Sequence, residues 1–295
     1  MSKPAMRDGV TVVIPAHNAA AALEKVLPAW GAVLTNARQP LNRPFEIIVV
    51  NDGSTDGTAT VLQKLVERVP NMRVLTNETQ KGFGACLRAA LAETKQPLFF
   101  YTAVDYPYTP ADIRPMLERI ELRDEILGRQ PDLISGFRAG QPRPTVVIAL
   151  SWVWKIFWRL FAGLPFAYTP PWYSWRDWWY RKRVEWVFGV PLVDVNSCFK
   201  LYRTEFLKRF PIQSDGDFVH TELVAKATFL TSIMDEIPLT PRTELIPAIG
   251  PVAADRWKVR QDPKFAVEES QSAPEPPKSE AAPPPAPDPS PAPLA

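Results

Sequence analysis

The first half of the chain alternates between short apolar runs and segments with helical patterning, and this alternation limits the possible folds more than any other feature. The strand-like runs are 10–14, 45–50, 72–75, 98–101 and 133–137, and the helical segments between them are 19–34, 58–69, 85–93 and 111–127. Such alternation indicates βαβ units with right-handed crossovers. We therefore predict an α/β fold with a Rossmann-like, mostly parallel sheet and flanking helices. Ligands of such sheets bind outside the carboxyl ends of the strands, so the loops after the strands are the candidate site.

The second half of the chain is organised differently. Residues 142–190 interrupt the alternation and hold most of the tryptophans, which predicts an aromatic-rich helical insertion. Strands at 198–202 and 233–239 and helices at 204–210 and 221–230 then complete one domain, 8–242. A C-terminal extension covers 243–265. Residues 266–295 are rich in proline and alanine and are predicted to be a disordered tail, because they cannot bury a core.

Charge and cysteine content narrow the functional classes. The 295 residues carry a formal net charge of +2 and are 46% hydrophobic. This composition provides for a core but gives no broad cationic surface, so we expect no nucleic acid partner. The N-terminal residues lack the apolar segment of an export signal, and Lys155 and Arg159 interrupt the nearest candidate membrane span. We expect a cytoplasmic protein in which Cys86 and Cys198 are reduced.

The loop after the second predicted strand carries the most specific motif, NDGSTDGT at 51–58. Asp52 stands at the strand tip, where a carboxylate can accept hydrogen bonds from a base edge or a ribose hydroxyl. Gly53 permits a tight turn. A plain strand-to-helix turn with a capping residue is the favoured interpretation for Asp56 and Thr58. The position of Asp52 at the crevice favours a ligand contact instead.

The loop after the third predicted strand reads KGFG at 81–84. Glycines before a helix N-terminus can cradle phosphate, which makes Lys81 and Gly82 binding candidates. The string is neither a Walker motif nor a complete G-x-G-x-x-G. A flexible turn that requires glycine is therefore an equal alternative.

Together these loops resemble the inverting glycosyltransferase family 2, which has the GT-A fold. The matching strings are VVIPAHN at 12–18, VVNDGSTD at 49–56 and KGFG at 81–84, and the resemblance covers roughly 10–242. Within the family, the chain is most similar to the branch of dolichyl-phosphate mannose synthase and bacterial polyprenyl-phosphate sugar transferases. The resemblance implies a nucleoside-diphosphate sugar as donor. The implied donor-binding residues are Pro15, Asn18, Asp52, Gly53, Lys81 and Gly82.

The loop after the fourth predicted strand departs from the family pattern. The family carries Asp-x-Asp, often followed by x-Gln, to hold a divalent metal on the diphosphate. Here Ala103, Asp105 and Pro107 fall at these positions. Asp105 is thus the expected ligand of Mg²⁺ or Mn²⁺ and a catalytic candidate, because a hard cation is commonly held by one or two carboxylates plus substrate phosphates. Three interpretations stay open: Asp105 holds the metal with the ligand and another side chain, cationic side chains replace the metal in part, or catalysis has been lost.

Two later segments also resemble the family. Arg138, in SGFR at 135–138, is similar to the Gly-x-Arg of the family and can clamp phosphate oxygens; a solvated surface arginine is the alternative. Residues 193–201, VDVNSCFKL, resemble the Asp-x-x-Ser/Cys-Gly-Phe-Lys segment. There Asp194 is the catalytic candidate that would orient the acceptor, help to hold a metal or act as a base. Lys200 either meets phosphate or is solvated.

The segment SDGDFVHTEL at 214–223 is similar to a family stretch that ends in an inward-facing glutamate at a helix start. By this resemblance, Glu222 would contact the sugar or a nearby arginine. His220 would complete a metal shell or bind acceptor phosphate. A structural role is the more frequent one for a lone histidine.

The aromatic segment favours a membrane-bound acceptor. Apolar residues recur at helical spacing over 146–161, and the aromatic residues of 172–180 precede Arg181, Lys182 and Arg183. Amphipathic rings prefer the headgroup region and basic residues attract anionic lipid. We predict peripheral attachment to the cytoplasmic face of a membrane and a lipid or polyprenyl-phosphate acceptor. An aromatic core or a dimer interface is the competing interpretation.

The acceptor decides whether a base is needed. A polyprenyl phosphate is largely ionised near neutral pH and needs none, whereas a sugar hydroxyl would need a carboxylate such as Asp194.

Two other functions remain open. The changes at Ala103 and Pro107 fit a non-catalytic relative that binds a nucleotide sugar or a membrane partner. A nucleotidyltransferase can use a similar sheet, but the start of the chain shows no triphosphate-binding loop rich in Gly, Arg and Lys.

Overall fold

The computed structural model describes residues 7–36, 43–124, 128–138, 153, 156, 175–240, 259 and 261–265. For Arg138 and for 175–179 only the backbone is described. The predicted tail at 266–295 lies outside these residues, as do 243–258 and 260 of the predicted extension (243–265) and most of 142–174 within the predicted insertion (142–190).

A seven-stranded sheet forms the centre of the molecule, with strand order β3-β2-β1-β4-β6-β5-β7. The strands are β1 (Val10–Ala16), β2 (Phe45–Asp52), β3 (Met72–Asn77), β4 (Leu98–Tyr101), β5 (Leu133–Arg138), β6 (Lys200–Arg203) and β7 (Met234–Leu239). β6 runs antiparallel to both of its neighbours, whereas the other neighbouring pairs are parallel. The predicted α/β fold with a mostly parallel sheet is confirmed.

Helices cover both faces of the sheet. They are α1 (Ala20–Leu34), α2 (Thr58–Val66), α3 (Phe83–Glu93), α4 (Ile113–Arg119), α5 (Trp175–Phe188), α6 (Thr204–Leu207) and α7 (Val219–Phe229), and a 3₁₀ turn (Pro110–Asp112) precedes α4. α5 lies within the predicted aromatic insertion. No helix in the described ranges has both the length and the apolar content needed to cross a bilayer.

Alternate residues of each strand build two separate cores, as the period of a strand requires. Val12 of β1 packs with α1, α2 and α4 on one face, whereas Val13 packs with α3, α5, α6 and α7 on the other. The central strands are buried on both faces, which explains why their sequences are continuous apolar runs instead of alternating ones.

Three predicted helices were too long. The helices expected over 58–69 and 204–210 end at Val66 and Leu207, and the third differs most. The helix expected over 111–127 ends at Arg119. Its buried face consists of Ile113, Met116, Leu117 and Ile120, at helical spacing, but the next position of that stripe is polar and Leu122 is 55% exposed. The helix therefore ends where its apolar stripe ends, because short helices depend on tertiary packing.

A fully buried ion pair joins α7 to the segment before it. Lys226 Nζ lies 2.6 Å from Glu222 Oε1, and both side chains are at most 2% exposed. The Glu222 carboxylate also accepts the backbone N–H groups of Gln213 and Ser214, each at 2.8 Å. Burial lowers the pKa of Lys226, and the contact with Glu222 partly offsets this effect. The pair thus fixes the residues that approach the start of α3.

We predict that Glu222→Ala lowers the free energy of unfolding by about 3–5 kcal/mol, because it leaves a buried ammonium with one partner fewer. Urea unfolding followed by circular dichroism measures this change. The matched control is Glu185→Ala, which removes the exposed Lys182–Glu185 pair and should cost no more than about 1 kcal/mol. Equal losses in the two variants would contradict the prediction.

Candidate active site

A crevice opens where β1 extends beyond β4. Tyr101, the last residue of β4, pairs with Val13, so the last three residues of β1 have no partner from β4. Pro15 lies in this stretch, is buried and pairs with Val50 of β2. A proline is tolerated there because its missing N–H is not needed by a neighbouring strand. The helix that follows β1, α1, packs on one face of the sheet, and the helix that precedes β4, α3, packs on the other. A ligand crevice usually lies between two neighbouring strands where the connections change face in this way.

The loops after β1 and β2 are joined by direct hydrogen bonds. The Asn18 backbone N–H donates to Ser54 Oγ at 3.0 Å, and Asn18 Oδ1 accepts from the Thr55 backbone N–H at 2.9 Å. Asn18 has φ 49°, a left-handed conformation that asparagine tolerates. His17 Nδ1 lies 2.7 Å from the backbone carbonyl of Asp52 and donates to it, since a carbonyl only accepts. The residues predicted to surround the base and ribose therefore form one connected rim.

Asp52 lies at the end of β2 and is 4% exposed. Its Oδ1 accepts from Asn77 Nδ2 at 2.8 Å and from the Lys81 N–H at 2.9 Å, and its Oδ2 accepts from the Gly82 N–H at 2.8 Å. Burial raises the pKa of Asp52, but these hydrogen bonds outweigh burial and hold the pKa below its usual value. Asp52 is therefore ionised at neutral pH and fixes the KGFG loop. A direct contact with a nucleotide stays a prediction.

The glycines of these loops permit close backbone contacts. Gly53 has φ 62°, and a Cβ there would lie 2.4 Å from the Gln80 nitrogen. Gly82 has φ 99°, and a Cβ there would lie 2.4 Å from the Asp215 carbonyl oxygen. That oxygen accepts the N–H groups of Gly84 and Ala85 at the start of α3. Since Asp52 and Asp215 engage these amides, a ligand contact from this loop would come most directly from the exposed Lys81 side chain.

Asp105 is exposed in the turn after β4. It lines a groove of about 690 Å³ between α1 and the segment 102–110, together with Lys25 and largely apolar side chains. Tyr101 of β4 pairs with Lys200 of β6, so the chain leaving β4 lies beside the chain entering β6. The turn with Asp105 and the segment with Asp194 thus meet at one edge of the sheet.

The segment before β6 is held by charged side chains on both sides. Asp194 is 1% exposed and Lys200 is fully buried. Lys200 Nζ donates to the carbonyl oxygens of Val195, at 2.9 Å, and Ser197, so the alternative of a solvated lysine is wrong. Glu236 of β7 accepts the N–H groups of Val193 at 2.6 Å and Asp194 at 3.2 Å.

His220 is buried between aromatic rings. Its Nδ1 lies 3.2 Å from Tyr101 Oη, its Nε2 lies 3.1 Å from Cys198 Sγ, and Phe83 contacts the ring edge-on. Burial and the charge of Lys200 lower the pKa of His220 well below its usual value. A neutral imidazole whose two nitrogens both have partners within the protein fits a structural role for His220, the alternative to a metal or phosphate contact.

Cys198 lies close to several carboxylates. Burial raises the pKa of its thiol to about 12; Lys200 opposes this rise, and the charges of Asp217, Asp194 and Asp105 add to it. Both cysteines are free thiols.

For two other predicted site residues, Glu222 and Arg138, the structure shows no contact with the crevice among the residues that it describes. Glu222 is engaged by Lys226 and two backbone amides, so its predicted contact with a sugar would require a rearrangement of the buried pair. Arg138 ends β5, and its side chain lies outside the described residues.

A metal would find few protein ligands here. Within the described ranges, no group of three or more His, Cys, Asp or Glu side chains is arranged to hold a metal ion. Ala103 and Pro107 offer no side-chain donor beside Asp105. The donor set therefore fits a cation that arrives with a diphosphate and takes most of its ligands from phosphate and water.

Sequence reasoning missed Glu236. The final strand was predicted from its apolar residues, and Asp235 and Glu236 were left without a role. Two adjacent carboxylates inside a strand that is otherwise apolar were the available signal, because a carboxylate that loses hydration requires a partner.

The architecture is that of GT-A glycosyltransferases. Glucosyl-3-phosphoglycerate synthase from Mycobacterium tuberculosis, solved with uridine diphosphate, matches with a TM-score of 0.52 and 16% identity over 82% of this chain and 74% of that chain. A mannosyltransferase from Pyrobaculum calidifontis, solved with GDP-Man and Mn²⁺, matches with a TM-score of 0.51 and 17% identity over 88% of this chain and 62% of that chain. The predicted GT-A fold is confirmed.

The chain belongs to glycosyl transferase family 2, whose model matches residues 11–209. An undecaprenyl-phosphate 4-deoxy-4-formamido-L-arabinose transferase from Pseudomonas paraeruginosa is 31% identical over 43% of this chain and 36% of its own length. A dolichyl-phosphate beta-glucosyltransferase from Trichomonas vaginalis is 33% identical over 32% of this chain and 30% of its own length. The chain thus aligns with about one third of each of these relatives.

We predict that Glu236 gives the fold a distinct pH dependence. Burial raises the pKa of Glu236 to about 7; the hydrogen bonds from Val193 and Asp194 oppose this rise, the charge of Asp194 adds to it, and that of Lys200 opposes it. Between the usual pKa of 4.5 and about 7, the folded state binds more protons than the unfolded state. The contribution of Glu236 to stability therefore falls as the pH rises through this window and is constant above it.

Urea unfolding of the wild type and Glu236→Gln at pH 5, 6, 7 and 8 measures this dependence. The stability of the wild type relative to the variant should fall by about 1–3 kcal/mol between pH 5 and 7. Parallel stability curves for the two proteins would show that the prediction is wrong.

Proposed function

We propose that this protein is an inverting glycosyltransferase that moves a sugar from a nucleoside diphosphate to a polyprenyl phosphate. The observation that carries the proposal is the convergence at one sheet edge of the NDGS loop, the KGFG loop and the turn with Asp105. The family of the chain supports sugar transfer. Two relatives, an undecaprenyl-phosphate sugar transferase and a dolichyl-phosphate glucosyltransferase, support the acceptor class.

In this proposal the rim of the crevice binds the donor. The joined loops at Asn18 and Ser54 supply polar groups for the base and ribose, while Asp52 keeps the KGFG loop in place. The exposed Lys81 side chain and Arg138 would neutralise diphosphate oxygens. A divalent cation held by Asp105 would stabilise the charge that develops on the departing diphosphate.

The burial of Asp194 favours a phosphate acceptor. A general base must reach the proton that it removes, and Asp194 is 1% exposed in this structure. A phosphate monoester is largely ionised at neutral pH, because its second pKa is about 6. It can attack the sugar without a base, so Asp194 would orient the site and not accept a proton.

Radiolabelled sugar transfer tests the proposal directly. UDP-, GDP- and dTDP-sugars are supplied with a detergent-solubilised polyprenyl phosphate and Mg²⁺ or Mn²⁺, with and without EDTA. We expect transfer with at least one donor, and a loss of about 100-fold or more in Asp105→Ala, as expected when a group that stabilises the leaving charge is removed. Glu118→Ala, which changes an exposed carboxylate of α4, should retain full activity.

A second candidate is a non-catalytic relative that binds a nucleotide sugar. The absence of side-chain donors at Ala103 and Pro107 favours it. Isothermal titration with the same donors separates the two candidates. Donor binding without turnover under all the metal conditions would favour the binding protein and contradict the transferase.

We further propose that α5 attaches the protein to the cytoplasmic face of a membrane. Tyr180 Oη lies 2.7 Å from Thr221 Oγ1, and Val184 is 4% exposed, so this side of α5 packs on α7. Trp186 is 88% exposed, and Lys182 and Arg183 accompany it on the same helix. An exposed tryptophan beside basic residues suits an anionic lipid surface.

Flotation with anionic vesicles tests this attachment. We expect Trp186→Ala to lower the vesicle partition coefficient about tenfold, because the indole contributes roughly 1.5–3 kcal/mol on burial. Leu122→Ala removes another exposed apolar side chain, from the turn after α4, and should leave binding unchanged. Equal binding of the wild type and both variants, or no binding by the wild type, would contradict this role of α5.

A further inference from the structure

Glu236 grips the backbone at the segment that carries Asp194. Successive residues of β7 point to opposite faces of the sheet. Asp235 makes an ion pair with Arg119 of α4, whereas Glu236 reaches the N–H groups of Val193 and Asp194. Each oxygen of the Glu236 carboxylate accepts one of these two N–H groups.

The same segment is held from its other side. Lys200 donates to the carbonyl oxygens of Val195 and Ser197. Ser197 Oγ donates to the Gly136 carbonyl at 2.6 Å, and the Ser197 N–H donates to the Asp194 carbonyl at 3.3 Å. The Glu236 carboxyl group thus binds two amides of this short segment, and the Lys200 side chain binds two of its carbonyls. Together they fix the backbone of a segment that is neither helix nor strand.

This arrangement is costly for stability alone. Glu236 is half-buried and Lys200 is fully buried, so both side chains lose hydration. Apolar residues of similar size at such positions often fold equally well or better. Here Glu236 also lies close enough to Asp194 for the two carboxylates to repel. Charged groups placed against such costs are more frequent at functional sites than elsewhere.

We propose that Glu236 is a positioning residue of the transfer site, which fixes the backbone of Val193 and Asp194 and thereby the direction of the Asp194 carboxylate. The inference rests on the proposed transferase function. The position of the Asp194 segment matters for transfer because of the sheet. The segment entering β6 lies beside the turn with Asp105, since Lys200 pairs with Tyr101. A displacement there of about 1 Å is enough to reduce catalysis by about 100-fold.

Kinetics and hydrogen exchange test the proposal on the full chain. Glu236→Gln keeps the size of the side chain but presents an NH₂ group to one backbone N–H. We expect kcat for sugar transfer to fall by about 10- to 100-fold with donor Kd and donor KM within twofold of wild type. Exchange of the amides at 193–194 should rise about tenfold, the change expected for a lost hydrogen bond of 1.4 kcal/mol.

Two further variants make the test specific. Asp235→Asn changes the adjacent residue of β7, which contacts α4, and should leave both kcat and the exchange at 193–194 unchanged. Glu236→Asp keeps the charge but is one methylene shorter, so it should restore kcat only in part. All the measurements are made well below the melting temperature of each variant.

The outcomes are distinguishable. A folded Glu236→Gln protein with wild-type kcat overturns the positioning role, as does a loss that appears in donor affinity instead of kcat. Wild-type exchange in that variant shows that Glu236 does not hold the segment. If the wild-type protein transfers no sugar, the proposed function fails and the catalytic role of Glu236 fails with it, while the exchange measurement still decides whether Glu236 fixes the backbone.

Discussion

The bond between the Asp52 carboxylate and the amides of Lys81 and Gly82 is the constraint on which the crevice depends. Parallel strands bring the ends of β2 and β3 to one edge, but they do not determine how the following loops approach each other. The buried, ionised carboxylate of Asp52 determines this approach because it accepts several N–H groups. Leaving those N–H groups unsatisfied would cost more free energy than each hydrogen bond contributes to stability. The rim of the candidate donor site is thus built on one acidic side chain.

The second half of the chain supports the same edge through charged side chains that are wholly or partly buried. Glu222 and Lys226 fix the segment that ends at Asp215, and the Asp215 carbonyl accepts the first amides of α3. Glu236 and Lys200 fix the segment that carries Asp194. These interactions connect β7, α7 and β6 to the loops of the first half, so a change far from the crevice can alter its shape.

Much of the fold could be predicted from the sequence because the first half alternates clearly between strand-like apolar runs and segments with helical periodicity. All the predicted strands are present, and most differ from the observed strands by one or two residues at an end. The ends were less predictable since they depend on pairing: β2 continues to Asp52 because β1 and β3 supply partners there. The end of α4 depended on where its buried stripe stopped, which helical composition alone does not show.

The site was less predictable than the fold. Asp52 and Asp105 follow β2 and β4 as the motifs predicted, because their positions follow directly from the strands. Lys200, His220 and Glu222 were named from segments that resemble the family. Such a resemblance does not show the direction of a side chain, and all three are buried against other groups of the chain. The carboxylates inside the last strand indicated that Glu236 needs a partner, but its partners are backbone amides distant in sequence, which the sequence does not identify.

Hydrogen–deuterium exchange with and without UDP-, GDP- and dTDP-sugars shows whether the crevice is the donor site, because it reports where a donor binds whether or not transfer follows. At least one of these donors should slow exchange in the loops 15–18, 52–58 and 102–106, at the carboxyl ends of β1, β2 and β4. Protection confined to other parts of the chain, or no protection with any of the donors in the presence of Mg²⁺ or Mn²⁺, would contradict this prediction.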